Sequence, residues 1–175
     1  VSKEGYMPTD FYNLNTFYGS EEELKECVKT LNEKGITAVA DIVINHRCAT
    51  QQDEQGRWNI YEGKLAWDQS AICSGNPAFG GTGNPKTGED YGPAPNIDHR
   101  NESIRNDIKE WLNYLRDEIG FRGWRFDFVK GYNGVYSGEY VEATRPFLAF
   151  GEFWDTCSYT DGILEYDQRN HRQRT

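Results

Sequence analysis

Two short apolar runs each carry a carboxylate near their C-terminal ends: Gly123-Trp124-Arg125-Phe126-Asp127-Phe128 and Gly151-Glu152-Phe153-Trp154-Asp155. Acids at the ends of neighbouring parallel strands lie a few ångströms apart, and two carboxyl groups about 5–5.5 Å apart cleave a glycosidic bond with retention. The side-chain period of two puts Arg125 and Asp127 on one face and Trp124, Phe126 and Phe128 on the other. A guanidinium beside a buried Asp favours the charged form, so Asp127 is expected to stay ionised as a nucleophile; a structural ion pair is the alternative. Glu152, flanked by Phe150, Phe153 and Trp154, is expected to be raised by this apolar wall toward a general-acid role.

The elements that must position these acids follow a repeated order. Ser20-Glu21-Glu22-Glu23 reads as a capping box, Leu24, Cys27, Val28 and Leu31 recur at helical spacing, and Gly35 supplies a left-handed stop, predicting a helix over 20–34. The β-branched run 36–44 then reads as a strand covered on both faces. Asn101 caps a second helix with apolar positions at Ile104, Ile108, Trp111, Leu112, Leu115 and Ile119, ended by Gly120 and followed by a strand over 123–129. A weaker helix near 136–144 stops before Pro146, and 147–153 reads as the third strand. Helix-then-strand repetition implies an α/β fold with a parallel sheet.

Between Asn45 and Arg100 lies a stretch of about 55 residues rich in Gly, Pro, Asn and Asp, far longer than an ordinary crossover. Trp58, Tyr61, Trp67, Ile72, Phe79 and Tyr91 give it something to bury, which argues for a small subdomain over the end of the sheet rather than a disordered linker. The expected organisation is therefore 1–44, an insertion at 45–100, and 101–175.

The net charge of -9 lacks the basic footprint of a nucleic-acid or anionic-membrane binder, so neither is expected as a partner. No apolar run approaches the ~20 residues of a membrane span. The eleven Tyr and five Trp suit either core filling or platforms for the apolar faces of sugars. The four cysteines, Cys27, Cys48, Cys73 and Cys157, show no C-x-x-C spacing and read as reduced thiols, with a Cys48–Cys73 bridge left open. Asn101-Glu102-Ser103 matches a glycosylation sequon but reads better as a helix start.

Asp41, Val43 and Asn45 share one strand face. Asn45 with Asp90, Asn96, Asp98 and a backbone carbonyl could make a calcium cage, although Asn and Asp in loops are more often turn formers. His46 follows the strand at its exposed end, where an imidazole could hydrogen-bond a sugar hydroxyl or simply be a satisfied structural group.

The runs Asp41-Ile42-Val43-Ile44-Asn45-His46, Gly123 to Gly131 and Gly151 to Asp155 resemble three signature regions of alpha-amylases in glycoside hydrolase family 13, and the plant-type members in particular. Gly5-Tyr6-Met7-Pro8, Asn45-His46-Arg47-Cys48, Pro95-Asn96-Ile97-Asp98-His99, Tyr166-Asp167-Gln168 and His171-Arg172-Gln173 extend the resemblance along nearly the whole chain. It implies a fragment of a TIM (β/α)8 barrel with the family's domain B inserted at 45–100. It also implies retaining endo-hydrolysis of α-1,4 bonds in starch or maltooligosaccharides, with Asp127 as nucleophile, Glu152 as general acid/base and Arg125 orienting the nucleophile. His46 would contact the glucose unit at the cleavage point, Tyr6 and Met7 would line the cleft, and Lys130 would lie near the adjoining subsite. A structural calcium would be held by Asn45, Asp90, the residue at Asn96 and the Gly131 carbonyl. The alternatives are a non-catalytic glucan-binding or regulatory relative, or a debranching or α-glucosidase-type enzyme.

Two departures stand out: Asn96 where the family commonly has Asp, and Asn84-Pro85-Lys86 where plant relatives are more acidic. The oligomeric state is left open, and plastid or cytoplasm is favoured over secretion. The family's third catalytic Asp would lie beyond Thr175, and a full barrel takes about 250 residues. Residues 1–175 alone are therefore expected to be inactive and poorly stable; robust starch hydrolysis by this segment would overturn that expectation.

Overall fold

The computed structural model describes residues 4–154 and 159–164. Asp155, Cys157 and the motifs at 166–168 and 171–173 lie outside the described residues.

The first helix, α1 (Glu21–Glu33), begins with the full capping box: Glu23 N–H donates to Ser20 Oγ, and Ser20 N–H donates to the Glu23 carboxylate. Gly35, at φ 76°, lets the chain reverse so that Ile36 N–H reaches back to the Leu31 carbonyl. The following strand, β1, covers only Val39–Ile42, because Ile36 is exposed and pairing begins where Val39 meets its partner strand. In the 45–100 segment, β2 (Gln51–Gln52) and β3 (Trp58–Ile60) form a short antiparallel hairpin, and most of the rest is irregular. Helix α2 (Glu102–Tyr114) starts on Asn101, whose side chain accepts from Ser103 N–H. The turn after it, Leu115–Ile119, widens into a π-helix before left-handed Gly120. Strand β4 (Gly123–Phe126), helix α3 (Gly134–Thr144), strand β5 (Leu148–Gly151) and the hairpin β6 (Tyr159–Thr160) and β7 (Ile163–Leu164) complete the described chain.

The sheet order is β1-β4-β5, all parallel. Its register pairs Asp41 with Arg125, and Phe126 with both Ile42 and Gly151. Backbone bonds carry that register past the strand ends, from Asp127 N–H to the Ile42 carbonyl and from Glu152 N–H to the Phe126 carbonyl. Both carboxylates thus stand one residue beyond their strands, side by side.

The core is one cluster running from the helix–sheet interface (Ile104, Ile108, Leu112, Trp124, Phe126) into the 45–100 segment through Tyr61, Leu65, Trp67, Ile72 and Ile97. Trp58, expected inside, is half exposed. Cys27, Cys48 and Cys73 are free thiols, so the bridge left open between Cys48 and Cys73 is not formed.

Arg47 ties this segment to the chain before α1. It is fully buried and donates to the carbonyls of Thr9, Glu62 and Leu65 at 2.7–3.0 Å, with the rings of Phe11, Tyr61 and Trp67 around its guanidinium. Burial lowers its pKa to about 10, which leaves it charged at neutral pH. Arg47→Met leaves three carbonyls without their donors and is expected to destabilise the protein on the order of 2–4 kcal/mol. Denaturant titration of the wild type and the variant checks this.

Candidate active site

A cleft of about 360 Å³ opens at the C-terminal end of the sheet, lined by Tyr6, Tyr91, Arg125, Asp127, Phe128 and Glu152. Arg125 is its hub. Its Nη1 donates to Asp127 Oδ1 at 3.0 Å and to Asp41 Oδ1 at 2.5 Å, and its Nη2 pairs with Glu152 Oε1 at 3.0 Å. One guanidinium therefore joins carboxylates from the ends of three adjacent strands. Tyr6 Oη donates to Asp41 Oδ2 at 2.8 Å, and its ring lies 6.0 Å from the Arg125 guanidinium.

Phe128, between the strand and the turn that follows, takes a left-handed backbone (φ 45°, ψ 49°), which costs a non-glycine residue about 1–2 kcal/mol. The bend turns its N–H toward Glu152, whose Oε2 accepts at 3.2 Å. The strained turn thus holds a backbone donor against the Glu152 carboxylate.

The electrostatics differ from the sequence expectation in two respects. Asp127 is not held low by Arg125. Its pKa is raised to about 6, first by burial and then by the negative charge of Glu152, and these outweigh the lowering pull of the guanidinium. One cation shared among three anions cannot neutralise them all, and Asp127 is the most buried of the three. The apolar wall expected around Glu152 is also absent: Phe150 and Trp154 are exposed, and only Phe153 packs on the core. Glu152 is surrounded instead by Arg125 and the Phe128 amide.

His46 is fully buried rather than exposed. Its Nε2–H donates to the Tyr6 carbonyl at 2.9 Å, Asn45 Nδ2 donates to its Nδ1 at 3.2 Å, and Tyr91 stacks on the ring at 3.8 Å. Lys130 pairs with Glu89 at 3.2 Å. Met7 lines a neighbouring cavity of about 560 Å³ that reaches Asp41, so it stands beside the carboxylate cleft and not in it. Asp41 bonds Arg125 and Tyr91 lines the cleft, positions beside the carboxylates that the sequence alone did not give them. The sign that would have found Asp41 is its strand face, but only the register sets it against Arg125.

Three of the four expected calcium ligands come together, yet their geometry does not fit the ion. Asn96 Nδ2 donates to Asn45 Oδ1 (3.3 Å), the Glu89 carbonyl (2.8 Å) and the Gly131 carbonyl (3.1 Å), so a donor occupies the point where the oxygens converge. Asp90 pairs with Lys86 instead, and Asp98 accepts from the Asn84 side chain and backbone. The described residues include no group of three or more His, Cys, Asp or Glu able to hold a metal.

Paired carboxylates in an open cleft at the C-terminal ends of parallel strands fit the arrangement of a glycoside-cleaving barrel, and similarity to known proteins narrows the class. Residues 1–66 match the family model of the alpha-amylase catalytic domain. The chain is similar to the alpha-amylase family of glycoside hydrolases along nearly its whole length.

Within that family it is 48% identical over 174 residues to "Alpha-amylase 3, chloroplastic" of Arabidopsis thaliana, covering 99% of this chain and 20% of that protein. It is 43% identical over 175 residues to "Probable alpha-amylase 2" of the same plant, covering 99% of this chain and 42% of that protein. The chain thus spans less than half the length of either relative. An alpha-amylase structure from Malbranchea cinnamomea aligns with TM-score 0.65 at 21% identity over 86% of this chain and 32% of that one, which identifies the fold as part of a (β/α)8 barrel.

Under the cleft, His99 is buried like His46. Its Nε2–H donates to the Ile44 carbonyl at 2.9 Å, and Tyr140 Oη donates to its Nδ1 at 2.7 Å. Burial lowers its pKa from 6.5 to about 4, and burial lowers that of His46 as well. A depressed folded-state pKa means that the unfolded chain takes up the proton first. The stability is therefore whole above pH 6.5 and is lost as pH falls toward 4. Between pH 7 and pH 5, His99 alone accounts for a loss of about 2 kcal/mol, at 1.36 kcal/mol per unit below 6.5. Denaturant unfolding at the two pH values is expected to show a smaller loss for His99→Gln than for the wild type.

Proposed function

We propose that the protein containing this chain is an endo-acting alpha-amylase that hydrolyses internal α-1,4-glucosidic bonds of starch with retention. The observation that carries this reading is the bridging of Asp127 and Glu152 by the two Nη atoms of Arg125, in a cleft open to a glucan. Similarity to two plant proteins named as alpha-amylases supports it.

In this reading Asp127 attacks the anomeric carbon and forms the glycosyl–enzyme bond, while Glu152 gives its proton to the departing glycosidic oxygen. Glu152 then takes a proton from the water that releases the sugar, which restores both groups. Arg125 fixes both carboxyls, and Asp41 with Tyr6 fixes Arg125 from the other side. In the free cleft, burial and the charge of Glu152 raise the pKa of Asp127 to about 6. A bound sugar's developing positive charge opposes that rise by stabilising ionised Asp127, the form the attack requires.

His46 supports the site from beneath, through the Tyr6 carbonyl and the face of Tyr91, and reaches a sugar only where those contacts open. The exposed side chains of Leu148 and Phe150 on β5, with Phe147 just before it, offer apolar surface on which further elements of the barrel would pack. The family's third acid would come from that remainder. A plastid is the proposed compartment, on the strength of the chloroplastic relative's name.

The test uses the full-length enzyme. Glu152→Gln is expected to lower kcat on starch by about 10²–10⁴-fold, and Asp127→Asn to abolish turnover while glucan binding persists. Near-normal turnover by either variant would remove that residue from its role.

A further inference from the structure

We propose that the Asn96 carboxamide is a built-in substitute for a structural calcium ion, clamping the 45–100 segment to the sheet without a metal.

Three oxygens from three separate parts of the chain converge at this point: Asn45 Oδ1 beyond β1, the Glu89 carbonyl in the inserted segment, and the Gly131 carbonyl after β4. Buried acceptors that face one another need something positive between them. Asn96, itself buried, supplies it with the two protons of its NH2 group, shared among the three acceptors, with the contact to Asn45 Oδ1 the longest at 3.3 Å. Asn45 is oriented to match, since its own NH2 is turned away to donate to His46 Nδ1.

The surrounding backbone is drawn close. A Cβ on Gly131 would come within 1.9 Å of Asn45 Oδ1, and one on Gly88 would lie 2.4 Å from the Gly131 carbonyl carbon. Main-chain bonds from Ile97 N–H to the Asn45 carbonyl and from Glu89 N–H to the Lys130 carbonyl hold the same three parts together.

Charge argues against an ion here as strongly as geometry. Calcium takes six to eight oxygens at about 2.3–2.6 Å, and its affinity follows the number of charged ligands. The converging acceptors are all neutral, and both carboxylates of the nearby loop are already paired, Glu89 with Lys130 and Asp90 with Lys86. To admit a cation, the Asn96 amide would have to turn its oxygen inward and give up all three hydrogen bonds.

The test uses the full-length protein as wild type, Asn96→Leu and Asn96→Asp, with Asn96→Ser replacing the leucine variant if that one does not fold. Equilibrium dialysis against radioactive calcium counts bound ions, and thermal unfolding in EDTA reports stability without metal. Wild type and the leucine or serine variant are expected to bind the same number of calcium ions. In EDTA, Asn96→Asp is expected to melt below the wild type, because a carboxylate then faces three acceptors with no donor. One more calcium on the wild type than on the leucine or serine variant would overturn the proposal. So would an aspartate variant as stable in EDTA as the wild type.

Discussion

The arrangement at the end of the sheet depends on one guanidinium. Arg125 draws Asp41, Asp127 and Glu152 toward a single point, and these acids come from the ends of three parallel strands. Three anions around one cation leave an excess of negative charge in a partly buried space. The structure meets that excess in three ways: Asp41 stays toward solvent and accepts from Tyr6, Glu152 accepts from a backbone amide, and Asp127 holds its proton more tightly. The unequal environments of the two acids, which the proposed chemistry uses, arise from this division.

Around that hub the 45–100 segment is anchored by uncharged or charge-assisted hydrogen bonds to backbone carbonyls. Arg47 holds three, Asn96 two, and His46 and His99 one each. A loop-rich segment has few regular partners for its carbonyls, so buried side-chain donors take the place of a ladder. Two of these anchors reach the chain just beyond the strands, His99 at the Ile44 carbonyl after β1 and Asn96 at the Gly131 carbonyl after β4.

Much of this was legible along the chain. The capping box at Ser20, the Asn101 cap, the Gly35 and Gly120 stops and the helix–strand rhythm are short-range signals, and they appear where the residues place them. The limits of the strands were less legible. The run 36–44 looks uniformly strand-like, but only Val39–Ile42 finds a partner, since pairing is decided by the neighbouring strand and not by propensity. Likewise Phe150 and Trp154 read as a wall around Glu152 from proximity in sequence, yet they face outward.

The sequence by itself determined which acids stand at the ends of adjacent strands, which faces they share and which family they resemble, because these follow from local periodicity and from motif identity. Tertiary structure alone decided the partners. Asp41 meets Arg125 across 84 residues of chain through the β1–β4 register. It also decided the raised pKa of Asp127 and the inward NH2 of Asn96. Charge, burial and hydrogen-bond direction depend on groups distant in sequence, and only the folded chain brings those groups within a few ångströms of each other.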